Sequence, residues 1–199
     1  MRILVTCFEP FGDHSENASA EVAARLAAGW EDAEVELCTR TMSVVFDVGI
    51  RQLNRSVAEL RPDAILAIGE DDSQEVCTVE LVGRNAADPD FAGQNAPTAV
   101  RIDSGPDERA CTFNAQDLCD RMNAHGVRTE LSDDAGLHMC NTFAYLLPTF
   151  SVPAGFLHVP AIRSTSADAS VKLDALAAAV AAAVVSLKAQ VAAIRVADR

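Results

Sequence analysis

The sequence predicts an α/β fold with helices on both faces of a mainly parallel sheet, and three observations predict it. Strand-length apolar runs alternate along the chain with stretches whose apolar residues recur at helical spacing. One run, Ala64-Ile-Leu-Ala-Ile-Gly69, is uncharged and bounded by Pro62 and Gly69, the pattern of a strand buried on both faces. Proline, glycine and capping residues fall at the junctions between runs. Together these features imply βαβ units around a parallel sheet, with sites gathered at the carboxyl ends of the strands.

Taken in order, Arg2 to Thr6 reads as a buried strand, followed by a loop marked by Pro10 and Gly12. Asn17 or Ser19 caps a helix whose apolar residues Val22, Leu26 and Trp30 share a face. Val35 to Cys38 is a second strand. Val45, Val48, Leu53, Val57 and Leu60 mark a helix over 44–60, which Pro62 ends. Ala64 to Gly69 is the third strand, and Val76 to Val82 alternates as a half-exposed strand. Residues 83–110 are rich in Gly, Pro, Asn and Asp and read as an excursion of loop and short strands, a lid or an assembly surface. Asn114 to His125 is helical and stops at Gly126, and Val127 to Leu131 is a short strand. The stretch from Ser132 to Tyr145 empties a loop into a helix that begins near Cys140. Gly155 to Pro160 is a strand stopped by proline, and Ser166 or Asp168 caps a long Ala-rich helix. With no internal repeat or low-complexity linker, residues 1–199 are expected to form a single domain.

Composition narrows the class of function. The 199 residues are 49% hydrophobic, which indicates a globular protein with a sizeable core. The formal net charge of −13 argues against nucleic acid or an anionic membrane as partner. The longest uncharged run, Ala175 to Leu187, is too short to span a bilayer. No targeting signal is recognisable at the start of the chain. The six cysteines show no C-x-x-C spacing, so neither a disulfide framework nor a zinc site is expected, and a reducing cytoplasm is.

Cys140 is the residue most open to chemistry. The first turn of a helix leaves backbone N–H groups unpaired and carries partial positive charge, which biases a thiol there toward thiolate. The same N–H groups can stabilise the oxyanion of an acyl-transfer intermediate. A cysteine hydrolase also needs a histidine and a group that orients it. Among the four histidines, His14 lies in a polar loop, His125 at a helix end, and His138 two residues before Cys140. His158 lies inside the apolar segment Phe156 to Val159, where a histidine is as readily a satisfied core residue as a catalytic one. Glu80, among apolar neighbours, reads on pattern alone as an outward-facing strand residue.

Five segments in order resemble the pyroglutamyl peptidase I (pyrrolidone-carboxylate peptidase) family of cysteine peptidases. Ile3-Leu-Val-Thr-Cys-Phe-Glu-Pro-Phe-Gly12 is similar to the family's opening L-V-T-G-F-x-P-F-G, and Val44-Val-Phe46 to its P-V-V-F segment. Thr78-Val-Glu-Leu-Val-Gly-Arg-Asn85 resembles the E-R-x-x-x-N segment. Ala135-Gly-Leu-His-Met-Cys-Asn141 resembles A-G-x-x-x-C-N, and Gly155-Phe-Leu-His-Val-Pro160 resembles G-F-x-H-x-P. The resemblance implies an open three-layer α/β/α sandwich with a mostly parallel twisted sheet, no cofactor, and a homotetramer acting on N-terminally blocked peptides. It also implies Cys140 as nucleophile, His158 as base then acid, Glu80 as its orienter, and Phe8 and Phe11 as aromatic walls around a pyroglutamyl lactam. Three departures stand out. Glu70 occupies the Gln position of the family's Gly-Gln-x-Gly-Gly-Arg turn, placing a carboxylate beside the lactam, Leu81 replaces an Arg, and the D-D-A-R-I-P-D segment shortens to Ala87-Asp-Pro-Asp90. They leave open a triad hydrolase with another cyclic or N-terminal amide as substrate, or a silent binding homologue.

Overall fold

The structure, a computed structural model, describes residues 1–88 and 99–197. A six-stranded sheet carries the strands β1 (Arg2–Phe8), β2 (Glu36–Met42), β3 (Ala64–Asp71), β4 (Cys77–Glu80), β7 (Thr129–Ser132) and β8 (Ala154–Pro160) in the order β2-β1-β3-β8-β4-β7. A separate antiparallel pair joins β5 (Val82–Arg84) to β6 (Glu108–Ala110) within the Gly- and Pro-rich excursion. Part of that excursion, 89–98, lies outside the described residues, and with it Pro89 and Asp90 of the shortened segment.

Strand alternation sorts the sheet residues into two cores. Ile3, Val5, Leu66, Ile68, Val79, Leu157 and Val159 face α1 (Ala18–Ala28), α3 (Ala115–Ala124) and α5 (Ala169–Ala197). Leu4, Phe8, Ile65, Ala67 and Phe156 face α2 (Phe46–Leu60) and α4 (Met139–Leu146). The layers are therefore α/β/α. Helix ends follow their sequence signals. The Asn17 side chain accepts the Ser19 N–H at 2.9 Å, and Asn114 accepts from Asp117 N at 3.1 Å. Ahead of Pro62, Arg61 closes α2 in the left-handed region at φ 47°. Trp30 lies beyond Gly29, outside the helix predicted to include it, and its indole donates to Val35 O at 3.1 Å. By length and composition α5 could cross a bilayer, but Leu173, Leu176, Val180, Val184 and Leu187 are buried in the core. Arg25–Asp174 at 2.6 Å and Lys188–Asp32 at 2.7 Å fasten its polar edge.

The sheet is mostly parallel, as expected, with one antiparallel pairing. β1, β2, β3 and β8 run parallel, while β4 pairs antiparallel with β8 and β7 follows β4. The cause is chain length. Residues 72–76 alone separate β3 from β4, whereas a parallel return needs a crossover of about a dozen residues. β4 must therefore start at the end of the sheet where β3 stops and run back. It is also buried along its whole length between β8 and β7, so the expectation of a half-exposed strand with an outward Glu80 is corrected. Because β7 runs with β4, the segment leading to Cys140 leaves the sheet at the end opposite the carboxyl ends of β3 and β8, and not from the shared end that a parallel sheet would give it.

Against α4, β5 packs with backbone on backbone. A Cβ added to Gly83 would lie 2.1 Å from Tyr145 N and 2.4 Å from Ala144 C. Gly83→Ala is expected to lower stability by about 1–3 kcal/mol through overpacking. Urea unfolding monitored by circular dichroism checks this, and an unchanged midpoint would contradict the close approach.

Candidate active site

Three anchors set the start of α4. Arg84 reaches the incoming segment, with Nη1 2.8 Å from Asp134 Oδ1 and Nη2 donating to Asp133 O at 3.1 Å. Asn141, fully buried, donates to Arg84 O at 2.9 Å and Ala86 O at 2.6 Å and accepts Arg84 N–H at 2.8 Å. At the far end the Tyr145 hydroxyl donates to Asp103 Oδ1 at 2.7 Å, and the Arg109 guanidinium lies 3.9 Å over its ring. Burial and the Asp103 carboxylate push the Tyr145 phenol up to about 12. Cys140 is then the second residue of a helix whose N-cap, His138, makes no side-chain cap bond. The first turn of α4 presents its amides and the positive end of the helix dipole toward the sulfur side of the helix start.

His158 comes from β8 and Glu80 from β4. Antiparallel register sets Thr78 opposite His158 and Glu80 opposite Phe156, so Glu80 and His158 are diagonal neighbours on one face. His158 Nδ1–H donates to Glu80 Oε1 at 2.8 Å, and the Thr78 hydroxyl donates to the same oxygen at 2.8 Å. Glu80 is 1% exposed, and among the described residues its Oε2 has no hydrogen-bond partner, so its charge is balanced chiefly by the ring. Burial by itself disfavours the charged imidazole. A hydrogen bond and charge attraction from Cys140, followed by those from Glu80, outweigh it and push His158 up to about 10. The ring thus lies between sulfur and carboxylate, and both favour its charged form.

The trio opens on a cavity of about 340 Å³ lined by Phe8, Phe11, Val44, Glu70, Met139, Cys140 and His158, among others. That volume suits a small ligand. Phe8 is buried, stacked edge-on against Phe143 with centroids 4.9 Å apart, while Phe11 is only partly covered. Gly69 makes the approach possible. A Cβ there would sit 2.9 Å from Cys140 Sγ and 2.6 Å from the Phe156 ring, so only glycine lets the end of β3 pass beneath the sulfur.

All six residues singled out from the sequence meet at this place. Cys140, His158, Phe8, Phe11 and Glu70 line the cavity, and Glu80 stands behind His158. Glu70 differs from expectation in one respect. Its carboxylate is not a bare charge, since Arg163 and the Ala18 N–H take its oxygens. Leu81, in the family's Arg position, does not line the cavity. Sequence reasoning missed Thr78, Gly69, Asn141 and Arg163. Thr78 and Asn141 belonged to quoted motifs, whereas Arg163 carries no local signal.

The His158 shift gives two checks. In Cys140→Ala the sulfur's attraction is gone while the burial remains, so His158 is expected to titrate at markedly lower pH than in the wild type by NMR. Because its folded value lies above the unfolded 6.5, the stabilisation from His158 is complete below about pH 6.5 and is lost as pH rises through about 10. Thermal unfolding should show this alkaline decline in the wild type, diminished in Cys140→Ala.

Comparison with known proteins bears on the chain as a whole. The sequence model of the pyroglutamyl peptidase family matches residues 1–197. The chain is 33% identical over 178 residues to a pyrrolidone-carboxylate peptidase of Thermococcus onnurineus, covering 84% of this chain and 88% of that protein. It is 31% identical over 170 residues to pyrrolidone-carboxylate peptidase 1 of Caldanaerobacter subterraneus, covering 80% and 82%. The crystal structure of pyrrolidone carboxyl peptidase from Pyrococcus furiosus superposes with a TM-score of 0.84 at 25% identity, over 96% of this chain and 100% of that one. The fold, the ordered motifs and these relatives agree: the chain belongs to the pyroglutamyl peptidase family of cysteine peptidases.

Proposed function

We propose that this protein removes an N-terminal pyroglutamyl (5-oxoproline) residue from peptides, with Cys140 as nucleophile, His158 as proton carrier and Glu80 as its orienter. The observation that carries the proposal is the buried His158 ring between Cys140 and Glu80, facing a small cavity at a helix start. The names of the relatives support the substrate class.

The reaction follows from the charges. The Cys140 thiolate attacks the pyroglutamyl carbonyl, and the negative charge that develops on oxygen is met by the first-turn amides of α4. His158 gives its proton to the departing amine, releasing the shortened peptide and leaving a thioester. The neutral imidazole then takes a proton from water, hydroxide adds to the thioester, and the sulfur leaves with its electron pair, releasing the acid and restoring the thiolate beside the protonated ring. Glu80 keeps the ring's other nitrogen engaged, so Nε2 faces the sulfur in both half-reactions. A neutral five-membered lactam suits the aromatic walls of Phe8 and Phe11. No cofactor is required by this chemistry. The proposal extends to a reducing cytoplasm, which keeps Cys140 a thiol, and to the homotetramer implied by the family resemblance.

Cys140→Ala is expected to abolish hydrolysis of a pyroglutamyl-amide reporter, and His158→Ala to slow it by about 10²–10⁴-fold. Iodoacetamide should inactivate the wild type with Cys140 as the labelled residue by peptide mass. Undiminished turnover in Cys140→Ala would refute the nucleophile. Gly69→Ala should also lose activity, as its methyl group would press on the sulfur.

A further inference from the structure

Glu70 is a buried charge for which the reaction above has no use. It is the seventh residue of β3, next to the Gly69 that passes beneath Cys140, and it lines the same cavity. An unbalanced carboxylate at this position would oppose the chemistry twice. It would repel the sulfur's negative charge before attack and the oxyanion during it, in an enclosed site where water screens little. Its side chain is fully buried, so solvent cannot neutralise it.

Arg163 does. It lies in the segment after β8, five residues beyond His158, and binds Glu70 as a two-pronged fork. Nη1 lies 2.8 Å from Oε2 and Nη2 2.5 Å from Oε1. The Ala18 N–H, at the start of α1, donates to Oε2 at 2.6 Å. The neighbouring Ser164 donates from both backbone and hydroxyl to Glu16, tying the same segment to the loop that carries Phe11. The carboxylate thus joins the end of β3, the start of α1 and the segment after β8, and of these Glu70 and the α1 N-cap Asn17 line the pocket.

We propose that Arg163 is a positioning residue of this enzyme: it neutralises the buried Glu70 and clamps it to the start of α1, which cancels one of the negative charges around the Cys140–His158 pair, where Asp71, Asp72 and Asp134 also line the cavity, and fixes the pocket wall for a neutral acyl group. The last clause rests on the pyroglutamyl reading. The charge-balancing role does not, because it acts on the thiolate whatever the substrate. Arg163 and Glu70 form one unit, and the substitution of a carboxylate at position 70 is tolerated because a cation reaches it from β8.

Two readouts separate the ideas. The first is the rate of Cys140 alkylation by iodoacetamide at neutral pH, which needs no substrate. The second is kcat/KM for a pyroglutamyl-amide reporter. Arg163→Met leaves Glu70 unpaired and is expected to slow both by about tenfold or more, the size of one extra charge near the sulfur at an intermediate dielectric. Adding Glu70→Gln removes that charge, and the double variant is expected to recover most of both rates. Arg163→Met with wild-type alkylation overturns the proposal. So does a double variant that alkylates as slowly as the single one, since a purely structural clamp would not be rescued by removing the charge. If Arg163→Met does not fold, the double variant still decides: near wild-type alkylation supports charge balance, slow alkylation overturns it. Absence of reporter turnover in the wild type would count against the pyroglutamyl reading alone.

Discussion

The contact between His158 and Glu80 is the constraint on which the rest of the site depends. A carboxylate 1% exposed, with one oxygen on a ring nitrogen and the other, among the described residues, without a hydrogen bond, favours a cation beside it. The ring is placed to be that cation, and the sulfur on its far side favours the same charged form. Glu80 and His158 would each be costly to bury alone as charges. Paired, they can sit in an otherwise apolar layer of Phe8, Phe143 and Phe156.

That contact exists because of a short connection. Residues 72–76 force β4 to run antiparallel, and the antiparallel register against β8 sets Glu80 diagonal to His158. The same reversal carries β7 the other way, so the chain must travel back across the sheet face before α4 begins. Arg84, Asn141 and Tyr145 hold that returning segment in place, and they do so by gripping the excursion between β5 and β6. The excursion's described part is thus a brace for the nucleophile helix. Whatever else it does, it is coupled to the position of Cys140.

Alternation along β3 divides labour between adjacent residues. Gly69 faces α4 and makes room for the sulfur, and Glu70 faces α1 and is closed off by Arg163. A departure that looked in sequence like a charge placed beside the substrate is in the structure half of an ion pair. The distinction matters for specificity. Arg163 removes one bare charge from a cavity that Asp71, Asp72 and Asp134 also line.

Much of this protein could be read without coordinates. The helix spacing, the Asn17 and Asn114 caps, the buried Ala64 strand and the ordered motifs around Glu80, Cys140 and His158 are local patterns, and local patterns survive in sequence. What the sequence could not supply was strand direction and distance across the fold. The alternation over 76–82 suggested a half-exposed strand, but β4 is buried throughout and lies inside the sheet between β7 and β8, the latter arriving some seventy residues later. Arg163 and Glu70 lie 93 positions apart, and no periodicity or motif links them. Pairing of that kind is decided when the strands take their order in the sheet, because only then do the ends of β3 and β8 become neighbours. The sequence by itself marked Cys140, His158 and Glu80 as candidates and predicted the fold class. The tertiary structure decided which charges balance one another, since charge balance depends on distance and burial, and neither is written along the chain.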